Sequence, residues 1–487
     1  MTGPTTAQGD ESRRLGRRVN ALAAAAAVGG FLFGFDSSVV NGAVDAIEAD
    51  FSLAATATGF AVASALLGCA VGAYLAGRLA DRWGRVPVML LGAVLFFASS
   101  LGAGLAFAVW DLVVWRVIGG LGIGIASVIA PAYIAEVAPS NARGRLGSLQ
   151  QLAITLGIFT ALLSDAVLAQ TAGGAGETLW FGMPAWRWMF LVGVVPALVY
   201  GALALTMPES PRFLVLRGRN PEARGVLATL MPEGQVETAM TEAIETVEED
   251  RRNKRTASLR GPLLGLLPVV WVGVVLSMLQ QLVGINVIFY YSTTLWKAVG
   301  FDESNSLLIS VITSVTNVLV TLIAIALVDR VGRRPLMLVG SAGMALSLGA
   351  MTLAFSQAGM NAAGEPELTG AWAPIALVGA NAFVVAFGAS WGPLVWVLLG
   401  EIFPNRIRAR ALGVAAGAQW LTNFAVSVSF PFLSQEVSLT LAYGLYTAFA
   451  ALSFVFVFRV VPETKGTNLE DADRLFDVAP RGRRRRS

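Results

Sequence analysis

The stretch GGFLFGFDSSVVNG, residues 29–42, sets one carboxylate, Asp36, inside a run otherwise apolar enough to cross a bilayer. An ionisable side chain at membrane depth is costly and calls for a partner or a proton. The candidate partner is Arg116, the lone base in the run WDLVVWRVIGG. With helix 1 and helix 4 running in opposite directions, Asp36 lies about 22 Å above one face, since helices rise about 1.5 Å per residue. Arg116 lies about 6 Å below the other face of a ~30 Å core, hence at a similar depth. Close to the guanidinium, the carboxylate is favoured as the anion. Parted from it in an apolar wall, Asp36 is favoured as the protonated acid. A static ion pair pinning two helices is the structural alternative, but buried pairs are weak evidence for stability. The chain contains no histidine, so the usual near-neutral proton carrier is absent and a carboxylate must serve.

A second constellation is QQLVGINVIFYY, with Gln280, Gln281 and Asn286 in an apolar setting. A few placed amides in such a cavity suit an uncharged, hydroxyl-rich ligand. On a straight helix Gln281 and Asn286 diverge by about 140°. Their convergence requires a bend, which Gly284 permits, and broken helices are how transporters build such sites.

The elements that position these residues follow from hydropathy. Of 487 residues 55% are hydrophobic and 14% charged, well below the charged share of about a quarter in soluble domains. Repeated runs long enough to cross a bilayer exclude a soluble globular protein. Twelve helices are predicted near 19–42, 58–79, 87–107, 111–135, 147–169, 187–207, 265–294, 305–327, 335–356, 373–400, 409–431 and 440–461. Of the 35 basic residues, 32 fall in segments that alternate to one side, which the positive-inside rule assigns to the cytoplasm with both termini. No cleavable signal peptide is evident, and Cys69 stands alone, so no intrachain disulfide is expected. Residues 208–262 break the pattern and read as short amphipathic helices in the cytosol. The tail RGRRRR reads as a solvated basic end rather than a lipid-binding one. RVIGGLGIGIAS has the glycines of a nucleotide loop, but inside a membrane helix they read as close packing. No metal cluster, nucleophile triad or phosphate loop is apparent, and the membrane interior is expected to hold Asp36 and Arg116 as its only ionisable pair.

The two halves repeat each other. RLADRWGR (78–85) matches LVDRVGRR (327–334), EVAPSNARGR (136–145) matches EIFPNRIRAR (401–410), and PESPR (208–212) matches PETKG (462–466). Asp81, Arg85, Glu136, Arg143, Arg145, Glu209 and Arg212 in one half, with Asp329, Arg333, Arg334, Glu401 and Arg408 in the other, read as a cytoplasmic latch of charges at helix ends. Topology-setting positive charge explains the arginines but not the interleaved acids.

With GRLADRWGR, RVIGGLGIG, PESPR, QQLVGINVIFYYS, DRVGRRP, WGPLVWVLLGEIFPNRIRARA and PETKG in order, the chain from about 20 to 470 resembles the sugar porters of the major facilitator superfamily. The resemblance implies an all-α membrane protein of two pseudo-symmetric six-helix bundles, 1–207 and 263–461, with a cytoplasmic helical linker, 208–262, and a cytoplasmic tail, 462–487. It implies sugar ligands at Gln151, Gln280, Gln281, Asn286, Asn317, Trp396, Gln419 and Trp420, an external gate at Tyr290 and Tyr291, and a cavity lined by Phe33 and Phe387. It also implies a site between the halves and, because porters with an acid and an arginine at these two places are proton-coupled, monosaccharide–proton symport by alternating access. A hexose such as D-glucose is favoured over a pentose such as xylose or a polyol, and an uncoupled facilitator is the rival. The expectation is a monomer in the cell membrane whose partners are sugar, proton and lipid, with no enzyme activity, cofactor, metal or nucleic acid.

Overall fold

The structure, a computed structural model, describes residues 6–138, 143–256, 259–360, 366–404 and 407–464. Within these, the side chains of 6–12, 143–145, 249–256, 327–330, 360, 366 and 409 lie outside the description. The chain is helical almost throughout. The first half runs α1 (Thr6–Asp50), α2 (Ala55–Trp83), α3 (Arg85–Gly104), α4 (Val109–Val137), α5 (Arg143–Ala172), α6 (Ala185–Val192) and α7 (Val194–Thr206). Three short helices follow: α8 (Pro211–Leu216), α9 (Asn220–Ala228) and α10 (Glu233–Thr256). The second half runs α11 (Pro268–Leu282), α12 (Ile285–Tyr290), α13 (Ser292–Lys297), α14 (Glu303–Val331) and α15 (Arg333–Ser356). It closes with α16 (Trp372–Gly388), α17 (Trp391–Ile402), α18 (Arg408–Phe432) and α19 (Leu439–Val460). A two-residue hairpin, Gly359–Met360 with Pro366–Glu367, is the one sheet among the described residues.

Twelve helical spans among the described residues are long and apolar enough to cross a membrane. The first outruns its predicted end at residue 42 by eight residues. Hydropathy marks the apolar stretch, whereas backbone hydrogen bonding continues through VDAIEAD, where Val44 and Ile47 stay buried. The tenth span is not continuous as predicted. It is interrupted between Gly388 and Trp391, where Ser390 leaves helical geometry at φ −137° and ψ −85°.

The glycines of the fourth span serve packing, as their position inside a helix implies. A Cβ on Gly120 would overlap the carbonyl oxygen of Ala65, one on Gly124 that of Cys69, and one on Gly68 of α2 that of Val117. Small residues let helix backbones approach in this way where lipid offers no hydrophobic drive. The same device joins α1 to α5, where Gly34 faces Ile154 and Gly157 faces Phe31.

Backbone packing groups the chain into two compact units. One comprises Met1–Lys254 with Phe289–Thr294 and Glu303–Ser314; the other comprises Arg255–Ile288, Leu295–Asp302 and Val315–Ser487. In the first unit α8–α10 carry a small core of their own, with Leu214, Val215, Ala223, Leu227, Val236, Met240 and Val247 buried together.

Candidate functional site

In the first unit α1 and α4 bring Asp36 and Arg116 together. The Arg116 guanidinium donates to Asp36 Oδ1 at 2.9 Å and to the Asp36 carbonyl at 3.4 Å. Both residues are buried, at 6% and 3% exposure. A second guanidinium nitrogen reaches the Val62 carbonyl at 3.5 Å, and the group lies 5.7 Å from the centre of the Phe190 ring. Arg116 Nε is buried without a partner. The pair thus rests on one good side-chain bond where a guanidinium and a carboxylate can make two. Beside it lies a small cavity, lined also by Phe33, Ser37, Val62, Cys69 and Tyr290, with a water-accessible volume of about 10 Å³. That is room for one water molecule.

Asp36 and Arg116 are not the only ionisable groups inside the spans. Asp165, on α5, is fully buried. It was legible as a lone acid in the run ALLSDAVLAQ, about 6 Å inside the outer face by the predicted ends and so at the depth of Arg116, but it belongs to no motif.

The amides of the second unit converge through the predicted break. α11 ends at Leu282, Gly284 takes φ +80°, and α12 begins at Ile285. That positive φ suits glycine, and a Cβ there would fall within 2.9 Å of the Tyr446 ring. Across the break Asn286 Nδ2 donates to Gln281 Oε1 at 2.6 Å. Gln281 in turn donates to Gln280 Oε1 at 3.4 Å, and Gln280 to the carbonyls of Trp391 and Gly392 at 2.9 and 3.3 Å. The interruption of the tenth span therefore supplies the last links of an amide chain.

Asn317 is buried on α14, its Oδ1 facing the Gly388 end of α16. Phe387 is half-buried on α16, its ring centre 6.4 Å from that of Phe383. On α18, Trp420 is buried and Gln419 is half-buried with Oε1 shielded from solvent and unpartnered. Trp396 is 43% exposed on α17. In the first unit Gln151 is half-buried on α5, and Phe33 joins Tyr290 in the wall of the Asp36 cavity. Tyr291 is fully buried.

The charged helix ends pair within each unit. Arg85 grips Glu136 with two bonds, Nε at 2.9 Å and a terminal nitrogen at 2.8 Å, and donates to the Ala80 carbonyl at 3.1 Å. Asp81 stands 3.8 Å away. Glu136 also takes a hydrogen bond from Ser210 and a longer one, 3.5 Å, from Arg212. Glu209 accepts the backbone N–H groups of Arg85 and Val86 at 2.9 and 3.3 Å, which caps α3. The second unit repeats this: Arg333 donates to Glu401 at 2.9 and 3.2 Å, Thr464 hydroxyl donates to Glu401, and Glu463 caps α15 through the N–H groups of Arg333 and Arg334 at 3.0 and 3.1 Å. Glu463 was missed although PETKG had been matched to PESPR, which holds Glu209.

Two members depart from the expected pairing. Arg334 donates to the Phe458 carbonyl at 2.7 Å, and Arg408 to the Phe403 carbonyl at 3.1 Å. Among the described residues neither has a carboxylate on its guanidinium, and Arg333 and Thr464 occupy Glu401. Burial pushes the Arg408 guanidinium below its ordinary pKa. The side chains of Arg143, Arg145 and Asp329 lie outside the described residues. Among the described residues no cluster of metal-ligating side chains occurs.

Residues 22–476 match the family described as Sugar (and other) transporter. The chain is 54% identical over 450 residues to a glucose transport protein of Synechocystis sp., covering 92% of this chain and 96% of that one. It is 37% identical over 484 residues to a D-xylose-proton symporter of Escherichia coli, covering 93% and 94%. Among solved structures, the inward open xylose transporter XylE of E. coli superposes with a TM-score of 0.78 at 34% identity, covering 94% of this chain and all of that chain. The same transporter with 6-bromo-6-deoxy-D-glucose bound superposes with a TM-score of 0.77 at 34% identity, covering 94% and 99%.

Proposed function

The chain belongs to the sugar transporter family, and we propose that it imports a monosaccharide, D-glucose foremost, together with a proton. It is a multi-pass membrane protein and not an enzyme. The observation that carries the coupling is the buried Asp36–Arg116 pair, held by a single side-chain bond beside a water-sized cavity. Motion of α1 against α4 trades that bond for a proton on Asp36, so proton binding and helix rearrangement become one linked equilibrium. A membrane potential of about 100 mV contributes roughly 2.3 kcal/mol per charge, equivalent to about a 50-fold sugar gradient. The 54% identity to a glucose transport protein supports the hexose. The D-xylose-proton symporter relative favours a pentose as the second reading.

Sugar contacts are assigned to the amide chain Gln280, Gln281 and Asn286, with Asn317, Gln419, Trp420, Trp396 and Phe387 on the neighbouring helices of that unit. For Phe33 and Gln151 the assignment rests on the resemblance, as does the gating role of Tyr290 and Tyr291. The charged helix ends, Glu463 now among them, are assigned to the latch. Six-helix bundles at 1–207 and 263–461, a linker at 208–262 and a tail at 462–487 would organise a monomer in lipid, a reading in which the basic-residue alternation supports cytoplasmic termini.

The test is accumulation of labelled glucose by transport-deficient cells expressing the chain. Wild type should concentrate the sugar, a protonophore should abolish the gradient, and Asp36→Asn should exchange sugar without concentrating it. Normal accumulation by Asp36→Asn would overturn the coupling role. Competition by xylose, galactose and a polyol ranks the substrates.

A further inference from the structure

The proposed mechanism leaves one membrane carboxylate unused. Asp165 sits seven residues before the end of α5, fully buried. Its Oδ2 accepts the backbone N–H of Gly42 at 3.2 Å. Its Oδ1 is shielded from solvent and has no hydrogen-bond partner. The approach depends on the glycine, because a Cβ on residue 42 would fall within 2.9 Å of the carboxyl carbon and Oδ2.

The face of α1 turned to α5 is a series at four-residue spacing. Gly30 meets Gln150, Gly34 meets Ile154 and Ile158, and Gly42 meets Asp165. Ser38 is the remaining member, and its Oγ is also buried without a partner. A hydroxyl and a carboxyl oxygen thus stand unsatisfied one helical turn apart on facing helices.

Charge does not explain the acid. The helices packed on α5 carry Asp10, Glu11, Arg13, Arg14, Arg17, Arg18, Asp36, Asp45, Glu48 and Asp50 on α1, Asp111, Arg116 and Glu136 on α4, and Arg187 on α6; the α1 arginines stand about 36 Å or more along the axis from Gly42. Arg116 is committed to Asp36 and Arg187 to Asp50. No ion pair reaches Asp165 among the described residues. The bases of its own helix, Arg143 and Arg145, lie about 30 Å away along the axis. A buried ionised carboxylate with one N–H donor and no ion-pair partner among the described residues is strongly disfavoured, whereas the neutral acid is tolerated.

We propose that Asp165 is a second proton-binding site, separate from Asp36, which holds its proton on Oδ1 while α1 and α5 are packed together. When the helices part, the O–H bond breaks, the proton passes to water, and the electron pair stays on the carboxylate. Gly42 lies six residues beyond Asp36 on one helix, so both acids report on the position of α1. Acid therefore favours the packed form, and alkali favours separation.

The test uses the full-length protein in liposomes. Infrared difference spectra should show the C=O band of a protonated aspartic acid, shifted by 13C-aspartate labelling. A band should persist in Asp36→Asn, and Asp165→Asn should lose that component, keeping at most the one that Asp36 contributes. A band lost in Asp36→Asn and kept in Asp165→Asn, or absent throughout, would overturn the proposal. Should Asp165→Asn fail to fold, its presence or absence in labelled Asp36→Asn decides the matter alone. This readout needs no transport, so it stands or falls apart from the symport reading. The functional counterpart rests on that reading. Glucose exchange by wild type should decline above a midpoint by up to about tenfold per pH unit, and Asp165→Asn should show a flattened profile. Identical profiles would contradict the proposal.

Discussion

Two buried arginine–carboxylate pairs of the first unit are built to opposite standards. Arg85 meets Glu136 with two bonds and uses its third nitrogen on the Ala80 carbonyl, while Ser210 and Arg212 add donors to the acid. Arg116 meets Asp36 with one side-chain bond, leaves Nε unpartnered, and borders a cavity of water size. Both pairs are desolvated, so the difference lies in satisfaction. A fully satisfied network specifies one geometry, whereas a half-satisfied one is poorly held and costly. The first holds the helix ends together, and in the proposed mechanism the second is the bond exchanged for a proton.

Removing one partner from the clamp gives the largest expected effect. Arg85→Ala leaves the buried Glu136 with only Ser210 and the longer Arg212 contact and should destabilise the protein by about 3 kcal/mol, read as a collapse of the thermal unfolding midpoint in detergent. A loss below about 1 kcal/mol would remove the distinction between the two pairs. Arg333→Ala, in the corresponding and more exposed pair of the second unit, should cost about 1–3 kcal/mol. An equal or greater loss than Arg85→Ala would show that burial does not rank the two clamps. Gln281→Ala cuts the amide chain and should raise the KM for glucose about tenfold, the equivalent of one lost hydrogen bond, with the unfolding midpoint nearly unmoved. An unchanged KM would take the sugar off this chain.

The smallest effect belongs to Arg219–Glu222 at the surface. A hydrogen bond from Arg219 holds the Glu222 carboxyl below its ordinary pKa. Such a shift stabilises above the ordinary pKa and is lost as pH falls through the lowered one. Solvent screens this exposed pair, so Glu222→Gln should match wild type in unfolding midpoint at pH 7 and at pH 4. A measurable drop at pH 7 alone would give this surface pair a weight comparable to the clamps.

Sequence alone carried most of this because each legible feature has a strong local cause. Apolar length fixes twelve spans, and similar depth made Asp36 and Arg116 a candidate pair, although Asp165 lies at that depth as well. A glycine between two amides marks the break where they meet. The unread features depend on contacts between distant segments. Asp165 is identified by the lack of an ion-pair partner among the described residues. Glu463 caps a helix 130 residues away in the chain, and the break at Ser390 lies in a run whose hydropathy never falters. Arg408 repeated the spacing of Arg143, yet the acid it was matched to is filled by Arg333 and Thr464.

The contrast between clamp and exchangeable bond is tested most directly by a pH electrode in a lightly buffered suspension of de-energised cells. Added glucose should make the medium more alkaline when wild-type protein is present, and Asp36→Asn should give uptake down the gradient without that shift. Equal alkalinisation by both proteins, or none by wild type during uptake, would contradict the assignment of the proton to Asp36.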